Sequence, residues 1–320
     1  MNILITGAAG FIGSHTSEKL LSRGHTVTGI DNFDPFYPKL FKLRNLEEIM
    51  RREGFQFKEG NILDLPFLDK LFSDQQFDVV IHLAAKAGIR PSIDRIVDYY
   101  ETNVNGTVNL LESMKTNGVK NMLFASSSSI YGNNIKTPFS ENDPVDYPIS
   151  PYASTKKSGE LLCHVYCHLY QFNITCLRFF TVFGPRQRPD LAIHKFTHLI
   201  DAGLSVPFFG DGSTARDYTY IEDITDGIDC ALGNLAGFRL FNLGESRVVT
   251  LKKLIQVIEQ RLKKSAILDM KPMQPGDVQI TFADITKAQK EIGYKPNTGL
   301  EEGIDQFVNW YIENKKILYP

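Results

Sequence analysis

Three glycines, Gly7, Gly10 and Gly13 in the run GAAGFIG, stand between an apolar strand-like segment, NILIT, and a helix-like stretch from Ser14 to Ser22. A plain strand-to-helix turn does not need three glycines. Glycine permits a tight turn and a close backbone approach, and the amides at a helix N-terminus meet the charge of a pyrophosphate. Phe11 and Ile12, between the last two glycines, belong to the same predicted contact. The placement therefore predicts a phosphate-binding turn at the start of an α/β unit.

The rest of the first half repeats that unit. HTVTGID, FQFKEGNI, FDVVIHLAA and NMLFASSS are short apolar runs bounded by turns, and a helix is predicted from about Val97 to Lys115. Such alternation predicts βαβ units feeding a parallel sheet, a doubly wound Rossmann-type α/β fold. After a helix from Tyr152 to about Tyr170 and a strand, NITCLRFFTVFG, the character changes. A Gly- and Pro-punctuated loop with Arg186 and Arg188, a helix at about His194 to Ala202, another at Leu251 to Leu262 and an isolated strand, AILDM, read as a smaller α+β lobe. The division is predicted at 1–178 and 179–320, with YTYIEDI and LFNLG, within about 219–245, returning to the main sheet.

At 320 residues the chain is long enough to bury a sizeable core. Its formal net charge of -2 gives no reason to expect nucleic acid or an anionic membrane surface. Met1 runs directly into the first strand, and no apolar stretch approaches the roughly 20 residues that span a bilayer, so a soluble, cytoplasmic protein is predicted. Cys163, Cys167, Cys176 and Cys230 read as reduced thiols rather than a disulfide framework. Cys163, His164, Cys167 and His168 cluster in LLCHVYCHLY, but one helix face cannot complete a zinc site, and no metal is predicted.

Asp31 ends the second strand where an acid would meet an adenosine ribose. A carboxylate accepts from both ribose hydroxyls and repels a 2′-phosphate, which favours NAD over NADP. Asn32 adjoins it, Asn61 and Ile62 are placed to cover the adenine, and Leu83, Ala84 and Ala85 form a small-residue wall. Asn103 faces that wall or is a surface asparagine.

Tyr152 and Lys156, four apart at a helix start, share one face, so the ammonium is expected to hold the phenol's proton affinity down. Ser127, at the end of a serine-bearing strand, is the predicted hydrogen-bonding partner. The three could take a proton from a secondary alcohol while a nicotinamide takes hydride.

Together these residues resemble the extended short-chain dehydrogenase/reductase family, nucleotide-sugar epimerase branch, across essentially the whole chain. The glycines match its turn, and Ser127, Tyr152 and Lys156 match its catalytic set. GIRPS at Gly88 to Ser92, RFFTVFGPRQRPDLA and KPMQPGDVQITFADITKAQ look like the UDP-glucuronate 4-epimerase branch. Asn61 stands where many relatives have aspartate, and Lys86 where glucuronate epimerases often have a neutral residue.

The resemblance implies an enzyme that inverts C4 of a UDP-sugar through a 4-keto intermediate with resident NAD, interconverting UDP-glucuronate and UDP-galacturonate, and a homodimer. Ser128 and Ser129 occupy the places where dehydratases and decarboxylases of the family carry acids. Arg216 matches the family's diphosphate-binding arginine, with Arg186 and Arg188 as weaker candidates; each could instead be an ordinary surface arginine. Phe209 is placed to stack on uracil, Thr181 to line the sugar site and Asp277 to brace the diphosphate or a ribose. Arg90 is assigned to a substrate carboxylate, with Ser128 and Ser129 as hydroxyl donors, or else to a loop ion pair. The alternatives are an epimerase of UDP-glucose or UDP-N-acetylglucosamine, a net-redox dehydrogenase, or a silent NAD-binding regulator.

Overall fold

The computed structural model describes residues 1–272 and 278–319. The first half runs β1 (Asn2–Thr6), α1 (Phe11–Ser22), β2 (Thr26–Asp31), α2 (Lys39–Glu47), β3 (Phe55–Glu59), α3 (Leu65–Asp74) and β4 (Val79–His82). It continues through α4 (Ile89–Asp94), α5 (Ile96–Tyr100), α6 (Gly106–Thr116), β5 (Asn121–Ser127), α7 (Pro151–Tyr170) and β6 (Asn173–Phe179). The remainder comprises β7 (Thr181–Phe183), α8 (Ala192–Asp201), β8 (Ser205–Phe209), β9 (Ala215–Tyr220), α9 (Ile221–Leu232) and β10 (Phe238–Leu243). Last come β11 (Val248–Thr250), α10 (Leu251–Leu262), β12 (Ile267–Lys271), α11 (Thr286–Ile292) and α12 (Leu300–Leu318).

Seven parallel strands form the main sheet in the order β10-β6-β5-β4-β1-β2-β3. Helices on both faces explain why its strands are near-continuous apolar runs. Along β1, Ile3 and Ile5 enter one buried cluster while Leu4 enters the other, the alternation a pleated strand requires. The strand order reverses between β1 and β4, and a doubly wound sheet opens its ligand crevice at such a point, beyond the carboxyl ends of the strands.

The second half departs from expectation in three places. NITCLRFFTVFG is two strands, because the chain turns out of the main sheet at Phe180, whose N–H donates to the Leu243 carbonyl at 3.0 Å. The second strand, β7, pairs instead with β9 in a separate sheet ordered β11-β9-β7. YTYIEDI therefore does not return to the main sheet, whereas LFNL does, as β10 beside β6. AILDM is not isolated: β12, each of whose residues is exposed, lies parallel to β8, a pairing across some 60 residues that local pattern could not reveal. The helix expected over Val97 to Lys115 is α5 and α6 joined by a π-type turn, Glu101–Asn105.

One buried ion pair ties the central elements together. Arg178 on β6 donates through Nε and Nη2 to Glu160 on α7, both at 2.9 Å, with the two side chains 1% and 2% exposed. Ser126 on β5 donates to the same carboxylate at 2.6 Å, and Arg178 also donates to the Tyr131 hydroxyl at 2.9 Å. That hydroxyl donates in turn to Asn242 on β10 at 2.7 Å. Removing one member of such a pair leaves an uncompensated buried charge. Arg178→Met should therefore destabilise the fold by about 3–5 kcal/mol, read as a lowered urea midpoint. A loss under about 1 kcal/mol would show that the pair contributes little.

Candidate active site

A cavity of about 500 Å³ opens at the carboxyl ends of β1, β4 and β5. Gly7, Gly10, Phe11, Ile12, Gly13, Asp31, Asn32, Asn61, Ile62, Leu83, Ala84 and Ala85 line it, and so do Ser127, Ser128, Ser129, Tyr152, Lys156, Thr181 and Arg216. The nucleotide-type turn and the Ser-Tyr-Lys set thus share one chamber.

The turn is shaped as a phosphate cradle. Gly7 has φ +74, and a Cβ added there would lie 2.8 Å from the Ala84 nitrogen. At Gly13 it would lie 2.1 Å from the Gly7 carbonyl oxygen. Gly10 is the N-cap of α1 without any side-chain cap, so the first amides of that helix face the groove as anion donors. A dinucleotide's pyrophosphate suits these donors. Asp31 is buried and its Oδ1 accepts from the Phe33 amide at 2.8 Å and from Lys42 Nζ at 3.0 Å. Lys42, also lining the groove, was missed in the sequence; only the helix α2 lays its ammonium against Asp31.

Tyr152 and Lys156 stand in the first turns of α7, whose start is built by Ser150 as N-cap, accepting from the Ala153 amide at 3.1 Å, with Pro151 following. Ser127 ends β5, and its hydroxyl accepts from the Ser129 amide at 3.2 Å and the Ser129 hydroxyl at 2.9 Å. Burial pushes the Tyr152 phenol up, against a hydrogen bond from Ser127 and the nearby Arg188 guanidinium, which draw it down. The expected help from Lys156 is absent from these influences. Its ammonium donates to the Ala125 carbonyl at 2.7 Å, and burial lowers its pKa to about 8 against the opposing pull of Cys163 and Cys176.

Several expected site residues lie elsewhere. Asn103 serves as a brace: its amide accepts from the Lys86 N–H at 2.8 Å and donates to the Lys86 carbonyl at 2.9 Å and to Thr155 at 3.0 Å. Both of its polar ends are used within the fold, so it is not presented to the groove. Arg186 has φ +65 and pairs with Glu18 at 3.0 Å and Glu48 at 3.4 Å, outside the cavity. Arg188 enters instead, held by Asp190 at 2.7 Å and over the Phe36 ring. Arg90 is exposed and outside the cavity lining, its guanidinium 5.1 Å from the centroid of the Phe209 ring. Phe209 likewise is not among the residues that line the cavity. Asp277 lies outside the described residues.

The cysteine-histidine cluster on α7 disperses around the helix: Cys163 is buried, Cys167 half-buried, and His164 meets the Phe238 ring edge-on at 5.1 Å. Among the described residues no group of three or more His, Cys, Asp or Glu is arranged to hold a metal ion. No helix among them is long and apolar enough to cross a membrane.

Fold and chamber define a nucleotide-sugar enzyme of the extended short-chain dehydrogenase/reductase class. The sequence profile of the GDP-mannose 4,6 dehydratase family matches residues 4–307, and the chain belongs to that family. A UDP-glucuronate 4-epimerase of Thermodesulfobacterium geofontis is 41% identical over 316 residues, covering 98% of this chain and 97% of the relative. The crystal structure of UDP-glucuronic acid 4-epimerase from Bacillus cereus, in complex with UDP-glucuronic acid and NAD, superposes with a TM-score of 0.92 at 37% identity, covering 98% of this chain and 99% of that one. UDP-glucose 4-epimerase from Thermotoga maritima, with UDP-glucose, follows with a TM-score of 0.91 at 33% identity, covering 98% and 100%.

Proposed function

We propose that the protein is an NAD-dependent UDP-glucuronate 4-epimerase, interconverting UDP-glucuronate and UDP-galacturonate. One observation carries the choice of reaction. Among the described residues lining the chamber, the only carboxylates are Asp31 and Asp34, both in its cofactor half. Dehydration needs a proton-carrying acid at the sugar, and Ser128 and Ser129 offer none. Epimerisation needs only a tyrosine that returns the proton it took. The glucuronate preference is supported by the relatives and by three hydroxyls, those of Ser128, Ser129 and Thr181, lining the sugar end.

In this reading Tyr152 accepts the C4 hydroxyl proton, Ser127 orients that hydroxyl, and Lys156 is placed for a ribose of the cofactor. NAD supplies a reversible hydride acceptor and a cationic ring that favours the phenolate. Inversion at C4 would require the planar 4-keto sugar to present its other face before Tyr152 returns the proton to the C4 oxygen. Gly7, Gly10 and Gly13 would hold the pyrophosphate, with Phe11 and Ile12 in the same turn; Asp31 and Asn32 would hold the ribose, while Asn61 and Ile62 would cover the adenine against Leu83, Ala84 and Ala85. Arg188 and Arg216 serve the substrate diphosphate. With the 4-keto acid prone to lose carbon dioxide, the three hydroxyls have the task of holding the carboxylate out of the perpendicular orientation.

We further infer a homodimer in the cytoplasm. Val97, Leu161 and Leu169 are 76%, 56% and 58% exposed, so α5 and α7 present an apolar stripe suited to pairing with its own copy. All four cysteines are free, in keeping with a reducing compartment. Wild type should elute near twice the chain mass, and Val165→Asp at the chain mass; a monomeric wild type would refute the pairing.

Assayed on a panel of UDP-hexoses and UDP-uronates without added NAD, the protein should invert C4 of UDP-glucuronate most efficiently. Tyr152→Phe should abolish that turnover while leaving UDP-sugar affinity nearly intact, because it removes a proton carrier and little contact area. Retained activity would overturn the assignment. Thr181→Val should cost UDP-glucuronate use roughly tenfold to a hundredfold while sparing UDP-glucose, the worth of a hydrogen bond to a charged group. Arg90→Met, lying outside the chamber, should affect both sugars alike. A selective loss on the uronate from Arg90→Met would return the carboxylate to that residue.

A further inference from the structure

Lys86 and Asp34 form an ion pair whose position is not explained by the chemistry above. Lys86 Nζ lies 2.8 Å from Asp34 Oδ2, with the side chains 12% and 27% exposed, and both residues line the chamber. Asp34 belongs to the loop after β2 and Lys86 to the loop after β4. In the sheet these strands flank β1 on its two sides, and β1 ends in the glycine turn. The pair therefore bridges the two banks of the crevice at the turn where a pyrophosphate would sit.

Both ends are anchored. Asp34 Oδ1 accepts from the Phe36 amide at 3.0 Å, and the Asp34 amide donates to Asn32 Oδ1 at 3.0 Å. The Lys86 backbone is gripped on both sides by the buried Asn103 amide, itself bonded to Thr155 on the helix that carries Tyr152. Burial raises the Asp34 carboxyl, yet the hydrogen bond and charge of Lys86, with the Phe36 amide and Lys42, outweigh it and hold the group below its ordinary pKa.

We propose that Lys86–Asp34 is a clasp over the dinucleotide crevice that retains the cofactor through the catalytic cycle. The inference rests on the reading of the crevice as an NAD site. An epimerase that lost its reduced cofactor before hydride return would strand the keto sugar, so slow release is a requirement of the reaction. A bridge between two loops acts on the off-rate, since a bound dinucleotide must part it to leave.

The test is exchange of the bound nucleotide, identified by mass, into excess isotopically labelled NAD, followed without substrate. Asp34→Asn and Lys86→Met should each speed exchange on the order of tenfold, and the double variant no more than either alone, since both break one link. The charge-swapped Lys86→Asp/Asp34→Lys protein should recover slow exchange, which also controls for damage to the fold. Unchanged exchange in both single variants, or failure of the swap to recover it, would overturn the clasp. Fast exchange in Lys86→Met alone would also overturn it, showing that Lys86 touches the cofactor directly. Wild-type protein with no bound dinucleotide would refute the NAD reading together with the clasp.

Discussion

The buried Glu160–Arg178 pair fixes the register on which the chamber depends. Lys156 lies one turn before Glu160 on α7, Tyr152 two turns before it, and Ser127 directly follows the Ser126 that shares the same carboxylate. A charged pair inside a core is costly to desolvate and is repaid only when its geometry and remaining hydrogen bonds are complete. Here they are: both carboxylate oxygens are engaged, and the guanidinium has a further acceptor in Tyr131. An apolar substitute could fill the space, but it would allow α7 to slide along the sheet. A directional fork between helix and strand does not, and a tyrosine that must meet one hydroxyl needs that constraint.

The second constraint is topological. Because the chain winds outward from β1 in both directions, the loops after β1, β2 and β4 converge without being neighbours in sequence. The glycine turn comes from the first, Asp31 and Asp34 from the second, and the Leu83 to Gly88 wall from the third. β7 and β9 then leave the main sheet and bring Thr181 and Arg216 over the chamber from the other side. The departure of YTY from the predicted main sheet is thus what carries Thr181 and Arg216 to the chamber.

What could be read from the sequence was what local chemistry dictates. The glycine turn, Asp31 and the Ser-Tyr-Lys set announce themselves because close approach, helix capping and proton transfer each demand particular residue types at fixed spacing. Residues that act through long-range contacts did not. Arg186 and Arg188 are two apart and alike in composition, yet a left-handed backbone at Arg186 sends one to surface glutamates while the other enters the chamber. Arg90, after β4, lies against the ring of Phe209 on β8, and Asn103 is engaged by the Lys86 backbone. Lys42 carried no local signal, since only the docking of α2 places it against Asp31.

The protonation state of the chamber follows from the same burial that shapes it. Excluding water raises the Tyr152 phenol and lowers the Lys156 ammonium to about 8, so both groups are driven toward neutrality, opposite to what the proposed chemistry asks of them. Ser127 and Arg188 oppose this at Tyr152, yet burial remains the larger influence. A bound nicotinamide ring would bring the missing positive charge, so in the proposed reaction cofactor binding would favour the Tyr152 phenolate. An empty chamber would then be idle as well as unreactive toward adventitious alcohols. In the proposed reaction, retention of the cofactor and activation of the base would be one physical requirement, with the crevice holding the dinucleotide and the buried start of α7 receiving its charge.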